Sequence, residues 1–206
     1  MGLSIDMLKT GLDALAAQEP KIAIALKEAG YPLPRISERG YQTLLRTIVG
    51  QQVSIKSAAA VMGKLEALLG AECSAEKVLE TSFDELRACG LSRQKQGYAR
   101  SLAEELLSGS LRLDNMPEEN EDAIVMLTRV KGIGRWSAEI YLLFAEGRQD
   151  IWPAGDLAIQ ESVRRIMGLD SRPSEKETRA IADQWSPHRG AAAIFTWHHY
   201  NSFVAI

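Results

Sequence analysis

A chain of 206 residues with 46% hydrophobic and 25% charged residues can bury a real core, as one large domain or two small lobes. Its net charge of −3 speaks against a basic surplus for nucleic-acid binding, although Arg and Lys still cluster locally. No apolar run reaches the ~20 residues of a membrane span, and no basic segment followed by an apolar one marks a secretory signal. Two cysteines, Cys73 and Cys89, allow neither a disulfide framework nor a four-cysteine cluster, so a reducing, cytoplasmic setting is expected.

Apolar residues recur at helical spacing nearly everywhere, and alternating strand-like runs are scarce. Residues 5–17 place Ile5, Leu8, Leu12 and Leu15 on one stripe. Pro20 opens a second helix that Gly30 ends. Tyr31 to Pro34 reads as an extended linker, because the residue before a proline avoids the helical region. Residues 38–49 predict a core helix, interrupted at Gly50, Gln51 and Gln52. Ser54 then opens a helix over 55–69, whose Ala58, Ala59 and Ala60 suit close helix packing. Ser74, Ser82 and Ser92 read as N-caps, Ser82 forming a capping box with Glu85. The helix over 93–108 stops at Gly109. Pro117 and the acids after it suit the start of a helix running to Thr128. Ser174 and Glu177 form a second capping box for a helix to about Trp185. Ser186 and Pro187 start a last helix through Trp197. About ten helices and no sheet are expected, hence an all-α fold.

Thr128 to Gln160 carries the chemistry. Gly132–Ile133–Gly134 breaks the helical pattern between Lys131 and Arg135. The missing strand and third glycine exclude a dinucleotide fingerprint. The bare motif can be a plain helix–turn–helix corner. It can also bring backbone close to a phosphate, since glycine permits close approach and the next helix exposes free N–H groups. Asp156 follows Pro153 and Gly155 and reads by itself as an N-cap. His188, His198 and His199 lack the spacing and the accompanying Cys or carboxylate of a metal site.

The run L-T-R-V-K-G-I-G-R-W-S-A resembles the helix-hairpin-helix element of DNA repair proteins. With G-Q-Q-V-S before it, and W-P-A-G-D-L-A-I-Q and R-G-A-A-A-I-F-T-W after it, residues 38–200 resemble the helix-hairpin-helix base-excision DNA glycosylase superfamily. The likeness is to its 3-methyladenine DNA glycosylase II (AlkA-type) branch. It implies a two-lobed fold with a DNA cleft between lobes: a central lobe about 38–128, and helices 1–37 packing with a C-terminal lobe 129–206. The 37 residues before the first shared helix leave no room for the extra N-terminal α/β domain of longer relatives.

The resemblance also implies roles. Lys131, Gly132, Gly134, Arg135 and Trp136 form the DNA-binding hairpin, with the amides of Gly132, Gly134 and Trp136 on a phosphate. No cofactor is required and no iron–sulfur cluster is expected; the resemblance allows a structural Na or K ion at the carbonyls of Thr128, Val130 and Ile133. Asp156 becomes the catalytic carboxylate. Trp136, Trp197 and Ile140 line the base pocket, Ile140 standing where better-known relatives carry tyrosine. Gln52 fills the position of the wedge, often leucine. Lys95 is a candidate phosphate contact. Tryptophan at 136, where lyase branches carry a Schiff-base lysine, implies hydrolysis without lyase chemistry. The expected partner is double-stranded DNA containing alkylated bases, bound by a monomer in a bacterial-type cytoplasm at the nucleoid. A bifunctional glycosylase/lyase and a non-catalytic DNA-binding module are the alternatives.

Overall fold

Caps and glycines set most helix boundaries in the computed structural model, which describes residues 2–204. Among them are twelve α-helices and no strand. In chain order they are α1 (Ile5–Gln18), α2 (Pro20–Ala29), α3 (Tyr41–Gly50), α4 (Ile55–Leu69), α5 (Ala75–Glu80), α6 (Phe83–Ala88), α7 (Arg93–Leu107), α8 (Asn120–Thr128), α9 (Arg135–Tyr141), α10 (Leu157–Met167), α11 (Glu175–Ala182) and α12 (Arg189–Val204). A π-turn over Leu142–Glu146 follows α9, and a 3₁₀ turn over Asp183–Trp185 follows α11. No helix among the described residues is long and apolar enough to cross a membrane.

The chain divides into two compact units, Met1–Ser37 with Glu139–Ile206, and Glu38–Ala138. The second therefore extends ten residues beyond Thr128 and includes the glycine hairpin.

In the first unit α1, α2, α10, α11 and α12 pack together. Leu8, Leu12 and Leu15 lie on the inner stripe of α1 and are fully buried, each contributing about 1.5–3 kcal/mol. Gly11 allows α12 to come close, since a Cβ there would lie 2.9 Å from the Ala191 Cβ. Arg189 begins α12 because Asp150 accepts from its Nε and Nη2, both at 2.7 Å, and from its backbone N–H at 3.4 Å. Burial pushes the Asp150 carboxyl up, but the donors of Arg189 and Ser186 outweigh it and hold it below its ordinary value.

In the second unit α7 packs against α3, α5 and α6, and α3 packs against α4. The capping boxes at Ser82 and Ser174 form as the sequence implies. Four local expectations change. Ala59 and Ala60 are exposed and Ala58 only half-buried, because α4 buries the stripe Met62, Leu65 and Leu69 instead. Helix α8 begins at Asn120, with Glu119 extended before it, so Pro117 lies outside the first turn. Gly40, in a positive-φ conformation, delays α3 to Tyr41. The last helix starts at Arg189 and runs past Trp197 to Val204.

The histidines serve packing. His198 Nε2 meets the Ala29 carbonyl at 2.8 Å, and buried His199 pairs through Nδ1 with Ser162 Oγ at 2.9 Å, joining α12 to α10. Burial, then Arg165 and His198, pull the His199 imidazole below its ordinary 6.5. A depressed histidine stabilises the fold above the unfolded-state value and loses that contribution as pH falls through and below it. The denaturation midpoint should therefore drop as pH is lowered from ~7 to ~5.5, and His199→Gln should flatten that dependence. An equally steep pH profile in the variant would place the titration elsewhere.

Candidate nucleic-acid interface

The hairpin is built within the second unit. Helix α8 ends where Val130 N–H donates to Leu127 O at 3.2 Å and Ile133 N–H donates to Val130 O at 3.0 Å. Val130 and Ile133 are buried, anchoring the turn, while Lys131, Gly134, Arg135 and Trp136 are exposed on it. Gly132 has φ +88°, a conformation costly to residues with a Cβ. The Tyr98 ring fills the space beside it, and a Cβ at Gly132 would lie 2.2 Å from its Cδ2. Lys131 N–H donates to Ser101 Oγ at 3.0 Å, and Gln51 Nε2 donates to Gly132 O at 2.7 Å. The Arg135 guanidinium is held in a two-pronged pair with the Glu121 carboxylate, one prong at 2.9 Å.

Trp136 remains 45% exposed. Of the carbonyls expected to meet a cation, those of Val130 and Ile133 sit on this same tight turn and that of Thr128 ends α8. Val130 O already accepts from Ile133 N–H, and a carbonyl oxygen keeps a second lone pair for a metal. Among the described residues no group of three or more His, Cys, Asp or Glu side chains could hold a metal ion.

Gln52 lies after α3 with φ +56°, left-handed for a residue with a side chain, and is exposed. Lys95, read as a candidate phosphate contact, directs its Nζ to Val49 O at 2.7 Å. Burial draws its ammonium below the ordinary lysine value.

Asp156 belongs to the first unit. It caps α10: its Oδ1 accepts from Ala158 N–H at 2.9 Å and from Ile159 N–H at 3.1 Å. Its backbone is fixed as well, Asp156 N–H donating to Pro153 O at 3.0 Å. Buried Gln160 Nε2 holds Ala154 O at 2.8 Å, closing the loop that leads to the acid. Upstream, Trp152 Nε1 donates to Thr178 O at 3.1 Å and its ring meets Trp185 edge-on at 5.3 Å. Arg179 binds Trp152 O at 3.2 Å and the carboxylate of Glu139, 2% exposed, at 2.9 Å. The Asp156 carboxylate is thus half-buried and oriented by two backbone amides.

Trp197 and Ile140 also lie in the first unit. Trp197 is buried, its ring 5.5 Å from that of Phe144, and the Arg35 guanidinium lies 5.3 Å from its centre. Ile140 is half-buried. A pocket of about 560 Å³ between α6 and α7, lined by Phe83, Arg87 and Arg93 among others, contains none of these residues. Sequence reasoning passed over Gln51 and Ser101. Their partners lie 81 and 30 residues away, and no local pattern signals such bonds.

Two helices joined by this glycine turn form a helix-hairpin-helix element. The HhH-GPD superfamily base excision DNA repair protein family matches residues 45–188. DNA-3-methyladenine glycosylase 1 of Schizosaccharomyces pombe is 33% identical over 161 residues, covering 76% of this chain and 71% of that protein. The structure of DNA-3-methyladenine glycosidase from Bacillus halodurans matches with a TM-score of 0.84 and 29% identity, over 95% of this chain and 91% of that one. A 3-methyladenine DNA glycosylase from S. pombe in complex with abasic DNA matches at TM-score 0.78 and 28% identity, over 91% of this chain and 95% of that one. The chain belongs to the HhH-GPD superfamily of base excision DNA repair proteins.

Proposed function

We propose that this chain is a DNA glycosylase that removes alkylated purines of the 3-methyladenine and 7-methylguanine type from duplex DNA by hydrolysis. The observation that carries the reading is Asp156, an acid aimed by two backbone amides in a chain of this family.

The chemistry needs one such group. The bond between sugar C1′ and the base nitrogen breaks, and its electron pair leaves with the base. An N-alkylated purine is already cationic, so that pair neutralises it and no strong general acid is required. The sugar passes through an oxocarbenium-like state, as in glycoside hydrolysis. The Asp156 carboxylate stabilises that charge and takes a proton from the water that attacks C1′. Free base and an abasic site result.

Binding uses the other residues. The amides of Gly132, Gly134 and Trp136 hold a backbone phosphate, flanked by Lys131 and Arg135. The carbonyls of Thr128, Val130 and Ile133 would hold a structural Na or K ion, which would add positive charge beside the phosphate. Extruding the base costs a few kcal/mol, and Gln52 fills the gap it leaves. Exposed Trp136 stacks on the electron-poor base, a contact of roughly 0.5–2 kcal/mol. Ile140 supplies an apolar wall without a hydroxyl. Trp197 lines the base pocket, its ring meeting the Arg35 guanidinium. The protein acts as a monomer.

The test is release of methylated purines from a defined duplex by wild type and by Asp156→Asn, with borohydride trapping in parallel. A borohydride-stable enzyme–DNA adduct would show lyase chemistry and overturn the hydrolytic reading. Binding without any base release by the wild type would leave only a DNA-binding module.

Glu121 restrains this interface. Its carboxylate pairs with Arg135, a hairpin cation otherwise available to phosphate. Glu121→Gln should tighten binding to undamaged duplex and steepen the slope of log K against log salt by up to about one unit. An unchanged slope would mean that Arg135 makes no phosphate contact.

A further inference from the structure

Helix α7 carries Lys95, Tyr98 and Ser101 at successive spacings of three, on one side of the helix. Lys95 grips Val49 O near the end of α3, Tyr98 seats Gly132, and Ser101 accepts from Lys131 N–H. The same stripe therefore backs both the end of α3 and the hairpin. Gln94 Nε2, donating to Tyr98 Oη at 2.6 Å, steadies the ring between them.

A further bond joins the two backed elements directly. Gln51 is the C-cap of α3, and its Nε2 reaches Gly132 O at 2.7 Å. The residue after it, Gln52, stands in the left-handed conformation. A side chain in that region persists only where its surroundings hold it. The chain just before Gln52 is fixed at two points, Val49 O by Lys95 and the Gln51 side chain by Gly132 O.

We propose that Gln51 is a positioning residue that ties the turn bearing Gln52 to the hairpin, so that phosphate capture and wedge insertion act as one unit. The proposal rests on the reading of Gln52 as the wedge given above. The chemistry requires an amide: glutamate has the same length but no donor, and its carboxylate would face the Gly132 carbonyl.

The experiment uses the full chain and a duplex with one N-methylated purine beside 2-aminopurine, whose fluorescence rises on unstacking. Gln51→Glu should lower single-turnover excision at saturating enzyme about ten-fold or more, because small misplacements at a reacting centre are costly. The 2-aminopurine rise should shrink with it. The new carboxylate lies beside the phosphate site and weakens duplex binding by its charge. Gln51→Met, which removes the donor without adding charge, should therefore show the same loss of excision and unstacking. An unchanged circular-dichroism melt shows that each variant is folded. In a Gln52→Ala background the same change should add little, since residues acting as a unit are non-additive. Excision and unstacking at wild-type level in Gln51→Glu would overturn the coupling, as would losses that multiply across the two sites. A wild type that releases no methylated purine overturns the proposed function instead. The 2-aminopurine comparison then still decides the coupling, because it reads insertion without chemistry.

Discussion

Asp156→Asn should bind DNA containing an abasic analogue like wild type and release methylated purine about 10²–10³-fold more slowly, the usual cost of removing one preorganised electrostatic group. The substitution is informative because Asp156 has two jobs. It caps α10 through Oδ1, and asparagine is an equally good cap. Melting temperature should therefore hold while activity falls. Asp156→Ala removes the cap too, and should add about 1 kcal/mol of destabilisation to the same loss of activity. Equal activity in wild type and Asp156→Asn would reduce this acid to a helix cap and end the mechanism.

Gly132→Ala should separate binding from chemistry in the opposite sense. The residue sits at φ +88°, where a Cβ costs roughly 1–2 kcal/mol. The added carbon would also lie within 2.6 Å of three Tyr98 ring atoms, so the ring must move out of a packed site, at about 1–3 kcal/mol. Tyr98 cannot move freely, because Gln94 holds its hydroxyl. The turn should distort, melting should fall by several degrees, and affinity for any duplex should drop about ten-fold or more. Gly134 is the control for stability. A Cβ there meets open space and its φ is not positive, so Gly134→Ala should melt like wild type. Equal melting and equal affinity in Gly132→Ala would show that the hairpin tolerates a different turn.

Both variants test features that were legible in the amino-acid order, for a common reason. Helix caps and hairpin turns are decided within four residues, and their signals sit side by side in the chain. Ser82 with Glu85, Ser174 with Glu177 and Pro20 at the head of α2 all fold as those rules require. Pro153, Gly155 and Asp156 announce a cap in the same way. Composition and the 3.6-residue period were enough for an all-helical fold.

What failed or went unseen depends on distance along the chain. The triplet Ala58 to Ala60 has the composition of a packing face, yet it looks to solvent, because packing is chosen by whichever stripe meets a neighbour and Met62, Leu65 and Leu69 meet it. Trp197 could be placed on a late helix, but not that Phe144 and Arg35 cover it. Nothing adjacent to Gln51 says that its amide ends on a carbonyl 81 residues later, nor that Ser162 meets His199 across 37. The sequence by itself determined the helices, their caps, the glycine hairpin and the lone acid, because each is a local energy minimum of a few residues. Only the tertiary structure decided what backs the hairpin, where the Gln51 amide ends and which aromatics stay exposed, because those depend on long-range contacts whose partners are chosen when the whole chain packs.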